Sequence, residues 1–297
     1  MHKWIGILLF FNSLLASAAE SAHEQLQLPQ GDLEQLVLYD GEIPADSDPL
    51  FRTSVFLKSY FVMPEKTEAE NSEPDLSKLT FLARKEFTCS GVLIHERVIL
   101  TAAHCVVRDG IKTKDVKVHI KFQSGSDWSR IADVDRVEVH PKYEFAKVGP
   151  FLTSETVKYD LALIKLKNSF RHPKILNVSP MVLEPIFKED LIYSGSLGGF
   201  GKKDEADENL GFFRQQEQVS FSVVTTQNKL MLLSLADLAH GDSGSGLFVK
   251  NPKNPKVRNL VGILSTIGKM HGERFGLYEY LANHSYWIKK TLKQILK

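Results

Sequence analysis

The sequence predicts an all-β protein closed by a single C-terminal helix, and three observations predict it. From Arg52 onward, short apolar runs alternate with turn signals. Several runs keep the two-residue period of a half-buried strand: Val116, Val118, Ile120 and Phe122 alternate with Lys117, His119 and Lys121. Val134, Val137 and Val139 likewise sit among Asp133, Asp135, Arg136 and Glu138. Helical spacing is confined to the last segment, and many short strands without intervening helices make a barrel or a sandwich.

Each element has its own justification. Lys3 precedes the apolar run Trp4 to Phe11 and Leu14-Leu15, and Ala16-Ser17-Ala18 supplies small residues. This reads as a secretory signal peptide over 1–18, cut after Ala18. A membrane anchor is the alternative, but the run falls short of the roughly 20 residues that span a bilayer. Residues 19–37 are polar and Gln-rich, with Pro29 and Gly31, and read as an extension or pro-segment. The remaining 38–297 read as one domain. Two stretches within it, Pro64 to Ser77 and Lys202 to Asn209, are polar or charged and read as exposed insertions. The predicted helix is Ser285 to Lys297. Trp287, Ile288, Leu292, Ile295 and Leu296 recur near helical spacing, with Lys289, Lys290, Lys293 and Lys297 elsewhere. Such a helix could lie on a membrane; packing on its own domain is the expected use.

Composition is ordinary for a globular chain: 297 residues, 43% hydrophobic, 25% charged. A net charge of +1 gives no field that would draw nucleic acid or an acidic substrate. The two cysteines, Cys89 and Cys105, suggest a disulfide in an exported protein, with two buried thiols as the alternative. They lack the spacing of a zinc site.

Three strings carry chemistry. Thr101-Ala102-Ala103-His104-Cys105 offers an imidazole, whose pKa near neutrality suits a general base. Tyr159-Asp160-Leu161-Ala162-Leu163-Ile164 sets one carboxylate at the head of an apolar strand. Gly241-Asp242-Ser243-Gly244-Ser245-Gly246 sets a hydroxyl between glycines. A serine hydroxyl needs a base to take its proton as it attacks. A buried carboxylate fixes the imidazole tautomer, and backbone N–H groups stabilise the oxyanion. Ser243 is the candidate nucleophile, His104 the base and Asp160 the orienting carboxylate. The N–H groups of Gly241 and Ser243 are the candidate oxyanion hole. Alone, each string has a bland reading as core, solvated or turn residue; their order, His then Asp then Ser, favours chemistry.

With these flanks the chain resembles the trypsin/chymotrypsin family from about Leu38 to the C-terminus. The run Cys89-Ser90-Gly91-Val92-Leu93-Ile94 through to Cys105 resembles the family's first disulfide loop. Val139-His140-Pro141-Lys142-Tyr143 resembles the strand before the Asp loop, Leu197-Gly198-Gly199-Phe200-Gly201 the Gly-Trp-Gly turn, and Trp287-Ile288-Lys289 the closing helix. The resemblance implies two packed six-stranded antiparallel barrels with the triad in the cleft between them. It implies a serine endopeptidase without cofactor or metal, acting on proteins or peptides as a monomer. Ser265 stands where the family has a serine that braces the triad Asp. Asp237, six positions before Ser243, stands at the base of the specificity pocket, where a buried carboxylate implies cleavage after Arg or Lys. Ile267 could narrow that pocket, and Gly276 is the wall position that leaves its depth open.

Other features depart from the family pattern. Gly244 is followed by Ser245-Gly246 rather than Gly-Pro. Leu38-Tyr39-Asp40-Gly41 faintly resembles the family's activated N-terminus, whose ammonium pairs with the Asp before the nucleophile, here Asp242. Yet Val37 precedes it, and no Lys or Arg lies between Lys3 and Arg52. Trypsin-like self-activation is therefore not available there; the expectation is that another protease makes the cut or that Asp242 is stabilised without a new N-terminus. A single disulfide suggests a bacterial-type exported member. Asn283-His284-Ser285 is a glycosylation sequon, relevant only in a eukaryotic secretory host. Two other readings stand beside the endopeptidase: a protease-like binding protein locked in a zymogen conformation, and an esterase.

Overall fold

The computed structural model describes residues 49–64, 82–108, 110–113, 115–121, 129–146, 156–169, 187, 191–202, 213–226, 229–251, 254–270 and 273–297. The expected signal peptide, the 19–37 extension, Leu38 to Gly41, Phe122 and the insertions at 65–77 and 203–209 lie outside the described residues.

The described chain opens on one helical turn, α1 (Pro49–Thr53), with Pro in the first position, where a missing N–H costs nothing. Its Leu50 and Phe51 are buried. The strands of the first half follow: β1 (Ser54–Pro64), β2 (Leu82–His95), β3 (Val98–Thr101), β4 (Val107–Arg108), β5 (Ile111–Lys112), β6 (Val116–Lys121), β7 (Ser129–Ala132), β8 (Val134–Val139), β9 (Glu144–Ala146), β10 (Thr156–Lys158) and β11 (Ala162–Leu166). Seven of them form one sheet in the order β7-β6-β1-β2-β3-β11-β8; β4-β5 and β9-β10 are separate two-stranded ribbons. The alternation predicted for β6 holds: Val116, Val118 and Ile120 are buried while Lys117 is exposed.

The resemblance implies six strands here, and the sheet has seven. The extra strand comes from one break. The edge strands β7 and β8 are consecutive in the chain, separated by Asp133 alone, whose carbonyl accepts a hydrogen bond from Lys167 N at 2.9 Å. The run 129–139 thus borders both edges of the sheet and curls it towards a barrel. In the second half β12 (Ile192–Gly199), β13 (Arg214–Thr226), β14 (Lys229–Leu235), β15 (Gly246–Asn251), β16 (Asn254–Met270) and β17 (Glu273–Tyr280) form a closed barrel, β12-β13-β14-β17-β16-β15. All pairings in both halves are antiparallel.

A 3-10 turn, Leu281–His284, leads into α2 (Ser285–Ile295), two residues shorter than predicted. Ile288, Thr291 and Ile295 are its buried face, while Lys289, Lys290, Lys293 and Lys297 are exposed. The helix therefore spends its apolar side on the protein itself. Among the described residues no helix is long and apolar enough to cross a membrane. One apolar cluster joins the first sheet (Leu57, Val92, Ile99, Leu163) to α1, to Phe200, Phe213, Phe248 and Ile263 of the second half, and to Ile288 and Ile295 of α2. A second cluster, with Leu232, Leu247, Leu264 and Tyr278, fills the closed barrel. Each such side chain stabilises the fold by about 1.5–3 kcal/mol on burial.

Candidate active site

β3 is buried along its whole length and delivers Ala102 into a 3-10 turn, Ala103–Cys105, that carries His104. Cys89 and Cys105 are disulfide-bonded, so the thiol alternative is removed. The bond ties this turn to β2. Although both sulfurs lie close to the His104 ring, they are spent on each other, and no thiolate faces it.

Asp160 is fully buried just before β11. Its Oδ1 accepts from His104 N at 2.8 Å, and its Oδ2 from the Ser265 hydroxyl at 2.7 Å. Oδ2 also lies 2.7 Å from His104 Nδ1. The imidazole, 9% exposed, is thus fixed at the backbone and at Nδ1, leaving Nε2 as the nitrogen a nucleophile can use. A carboxylate on Nδ1 selects the tautomer with its proton there and favours the imidazolium that forms when Nε2 takes a proton.

Ser243 lies in the turn between β14 and β15. Its neighbours Gly241 (φ 100°) and Gly244 (φ 84°) are both in the left-handed region that favours glycine. Contact demands glycine at 244 as well. A Cβ there would strike Ser90 O and Thr101 Oγ1 and come within 3.2 Å of Ala102 N. The nucleophile turn therefore packs directly on the segment that leads to His104. Ser90 fastens the two. Its N donates to Ser243 O (2.8 Å), its hydroxyl donates to Gly241 O (2.8 Å) and accepts from Phe200 N (2.9 Å), and its carbonyl accepts from Thr101 Oγ1 (2.8 Å). Among the described residues no backbone hydrogen bond takes up Gly241 N or Ser243 N, the two candidate oxyanion donors.

Asp242, half-buried as a residue, has its carboxylate end enclosed by the backbone of Gly199 and Gly201, where any Cβ would run into it. Gly201 N (2.8 Å) and Ala239 N (3.0 Å) donate to it. Burial outweighs these amides and the field of Arg214, and pushes its pKa up to about 6.

The pocket residues are less uniform. Asp237 is exposed, not the buried carboxylate that the resemblance implies. It directly precedes buried Leu238, and the chain turns it outward, into the field of Arg274. That guanidinium also donates to Leu238 O at 2.8 Å. The Asp237 carboxyl still lies above its usual range, desolvation outweighing Arg274. Gly276 pairs with Ile267 across β16–β17, but the space behind it is taken: a Cβ would meet Leu238 Cδ1 at 2.5 Å, Leu264 Cδ1 at 2.9 Å and Tyr278 Cε2 at 3.0 Å. Ile267 is half-buried. Ser265 turns its hydroxyl to Asp160 rather than to the pocket.

The structure thus brings His104, Asp160 and Ser265 into one network, docks the Ser243 turn against it, and leaves Asp237 at the surface. Sequence reasoning missed Ser90, Arg274 and the buried pair Glu279–His284. Glu279 had a signal: a carboxylate inside the apolar run Leu277-Tyr278-Glu279-Tyr280-Leu281 must be paired if that run is buried.

Two antiparallel β-structures carry these residues between them. The trypsin family model matches residues 66–288, and the chain belongs to the trypsin family. It is 25% identical to complement C1s subcomponent of Bos taurus over 69% of this chain and 32% of that protein. It is 34% identical to ovochymase of Halocynthia roretzi over 58% of this chain and 10% of that one. To phenoloxidase-activating factor 3 of Holotrichia diomphalia it is 26% identical, over 70% of this chain and 65% of that one. The chain therefore spans less than two thirds of the length of each of these relatives.

Proposed function

We propose that this protein is a secreted endopeptidase that cleaves peptide bonds through an acyl-enzyme on Ser243. His104 Nε2 takes the Ser243 proton during attack and returns it to the leaving amine. Asp160 holds the imidazole in register and favours its charged form. The N–H groups of Gly241 and Ser243 receive the oxyanion, each worth about 3–4 kcal/mol in the transition state. Water then releases the acyl group by the same steps. The observation that carries this reading is the buried network at Asp160, which accepts from His104 N, pairs with His104 Nδ1 and accepts from Ser265, with the Ser243 turn fastened beside it by Ser90.

A preference for Arg or Lys rests on Asp237 and belongs to the same proposal. Arg274 already shares that carboxylate's field. A substrate cation has to displace this internal partner, so the preference is weaker than a free buried carboxylate would give. Export rests on the first 18 residues, and the expected partners are protein substrates and an activating protease.

The test is a peptide-library digest of the secreted protein beside Ser243→Ala. Cleavage after Arg or Lys that is lost in the variant supports every part of the proposal. Cleavage at other residues keeps the mechanism and removes the role of Asp237. Equal cleavage by both proteins removes Ser243 as nucleophile, and no cleavage by either favours the latent binding protein.

A further inference from the structure

Behind Asp160 lies a second buried carboxylate that the proposed mechanism does not use. Glu279, on β17, is fully buried and stands in register with apolar Met231 and Ile263 on the neighbouring strands. Its Oε1 accepts from the backbone N–H of Asp160 at 3.0 Å, across 119 residues of sequence. Its Oε2 lies 2.7 Å from Nε2 of His284, which is 1% exposed. His284 Nδ1 is buried and has no hydrogen-bond partner among the described residues.

The turn held by this pair is strained. Tyr159, immediately before Asp160, has φ 53°, a region that bulky side chains seldom occupy and that is kept only where surroundings impose it. The surroundings do so from several sides. The His140 ring stacks on Tyr159 at 5.0 Å, Lys142 Nζ lies 5.6 Å over the same ring, and Leu161 N donates to Tyr159 O at 2.8 Å. His284 and Trp287 close on His140 at 5.3 and 4.7 Å. None of these touches the peptide N–H that enters Asp160; Glu279 does.

We propose that Glu279, backed by His284, is a positioning pair that clamps the strained Tyr159–Asp160 turn and so sets where the Asp160 carboxylate meets His104. The inference rests on the triad reading above. Burying a carboxylate within an apolar strand is destabilising unless it is paired, and this one is spent on a backbone amide next to the reacting groups.

The test compares Glu279→Leu and Glu279→Gln on one peptide substrate, with Ser243→Ala in parallel. Leucine fills similar space and accepts no hydrogen bond. Glutamine keeps an acceptor for Asp160 N and presents an N–H donor to His284 Nε2, which accepts it in the tautomer protonated at Nδ1. The expected result is a fall in kcat of roughly 10- to 100-fold for Glu279→Leu, with KM nearly unchanged, and recovery of most of that loss in Glu279→Gln. Tyr159→Asn placed on Glu279→Leu should regain part of the kcat, because Asn adopts the left-handed region more readily. Parent-like kcat in Glu279→Leu overturns the proposal, and so does an equal loss in both variants. If the leucine variant does not fold, Glu279→Gln decides alone: near-parent kcat supports the clamp, and a loss above about tenfold overturns it. An active Ser243→Ala would instead sink the triad reading, leaving the two failures distinguishable.

Discussion

Removing one oxygen, in Ser90→Ala, tests how the two halves are joined. Ser90 is fully buried, and its hydroxyl serves two backbone groups of the second half: it donates to Gly241 O at 2.8 Å and accepts from Phe200 N at 2.9 Å. Alanine leaves both groups buried without this partner, while the Ser90 backbone bonds to Ser243 and Thr101 persist. Each buried unsatisfied group costs about 1–3 kcal/mol, so the pair should destabilise the fold by about 2–6 kcal/mol. For a domain of this size that is a fall in Tm of roughly 5–15 °C. The assay is thermal unfolding followed by circular dichroism at one scan rate, in a Ser243→Ala background to prevent autolysis. A kcat measurement on Ser90→Ala with Ser243 intact accompanies it, and kcat should fall because the Gly241 N–H is a proposed oxyanion donor. A Tm within about 2 °C of the parent would refute the assignment of Ser90 as the fastening between halves.

Three further outcomes are expected. Asp242, raised from its ordinary 3.8 to about 6, binds its proton more tightly in the folded state. Its contribution is therefore fully present below about pH 4 and is lost as pH rises through about 6, a change on the order of 3 kcal/mol. Urea unfolding of the parent and Asp242→Asn between pH 4 and 7 should show their stability difference shifting across that window; parallel curves would reject the assignment. Replacing Cys89 and Cys105 together by Ala opens a loop of sequence separation 16 and should remove about 3 kcal/mol, read as a lower Tm. An unchanged Tm would remove the disulfide from the stabilising interactions. Arg274→Ala frees Asp237 and should raise the kcat/KM ratio for Arg over Leu substrates severalfold; an unchanged or inverted ratio would count against Asp237 as a specificity residue.

What could be read in the sequence was local. His104, Asp160 and Ser243 each sit in a short string whose neighbours already declare the backbone they need, and glycines at 241 and 244 are two such neighbours. The β6 alternation and the face of α2 were legible for the same reason: periodicity is a property of adjacent residues. What was not legible depends on distant partners. Glu279 meets Asp160 across 119 residues, and Ser90 meets Gly241 across 151, so neither role is written nearby. Asp237 failed differently. Counting six residues back from Ser243 names the position but not its surroundings: buried Leu238 beside it and Arg274 nearby bear on which way the carboxylate faces. The break at Asp133, which turns six strands into seven, is likewise a matter of sheet curvature.

The last helix has a consequence for how the first sheet is completed. Ile288 and Ile295 belong to the same apolar cluster as Leu57, Val92 and Leu163, so the first sheet completes its core on a helix that follows the second barrel in sequence. The half that carries His104 and Asp160 therefore closes only when α2 has docked, so its completion is a long-range event rather than a local one.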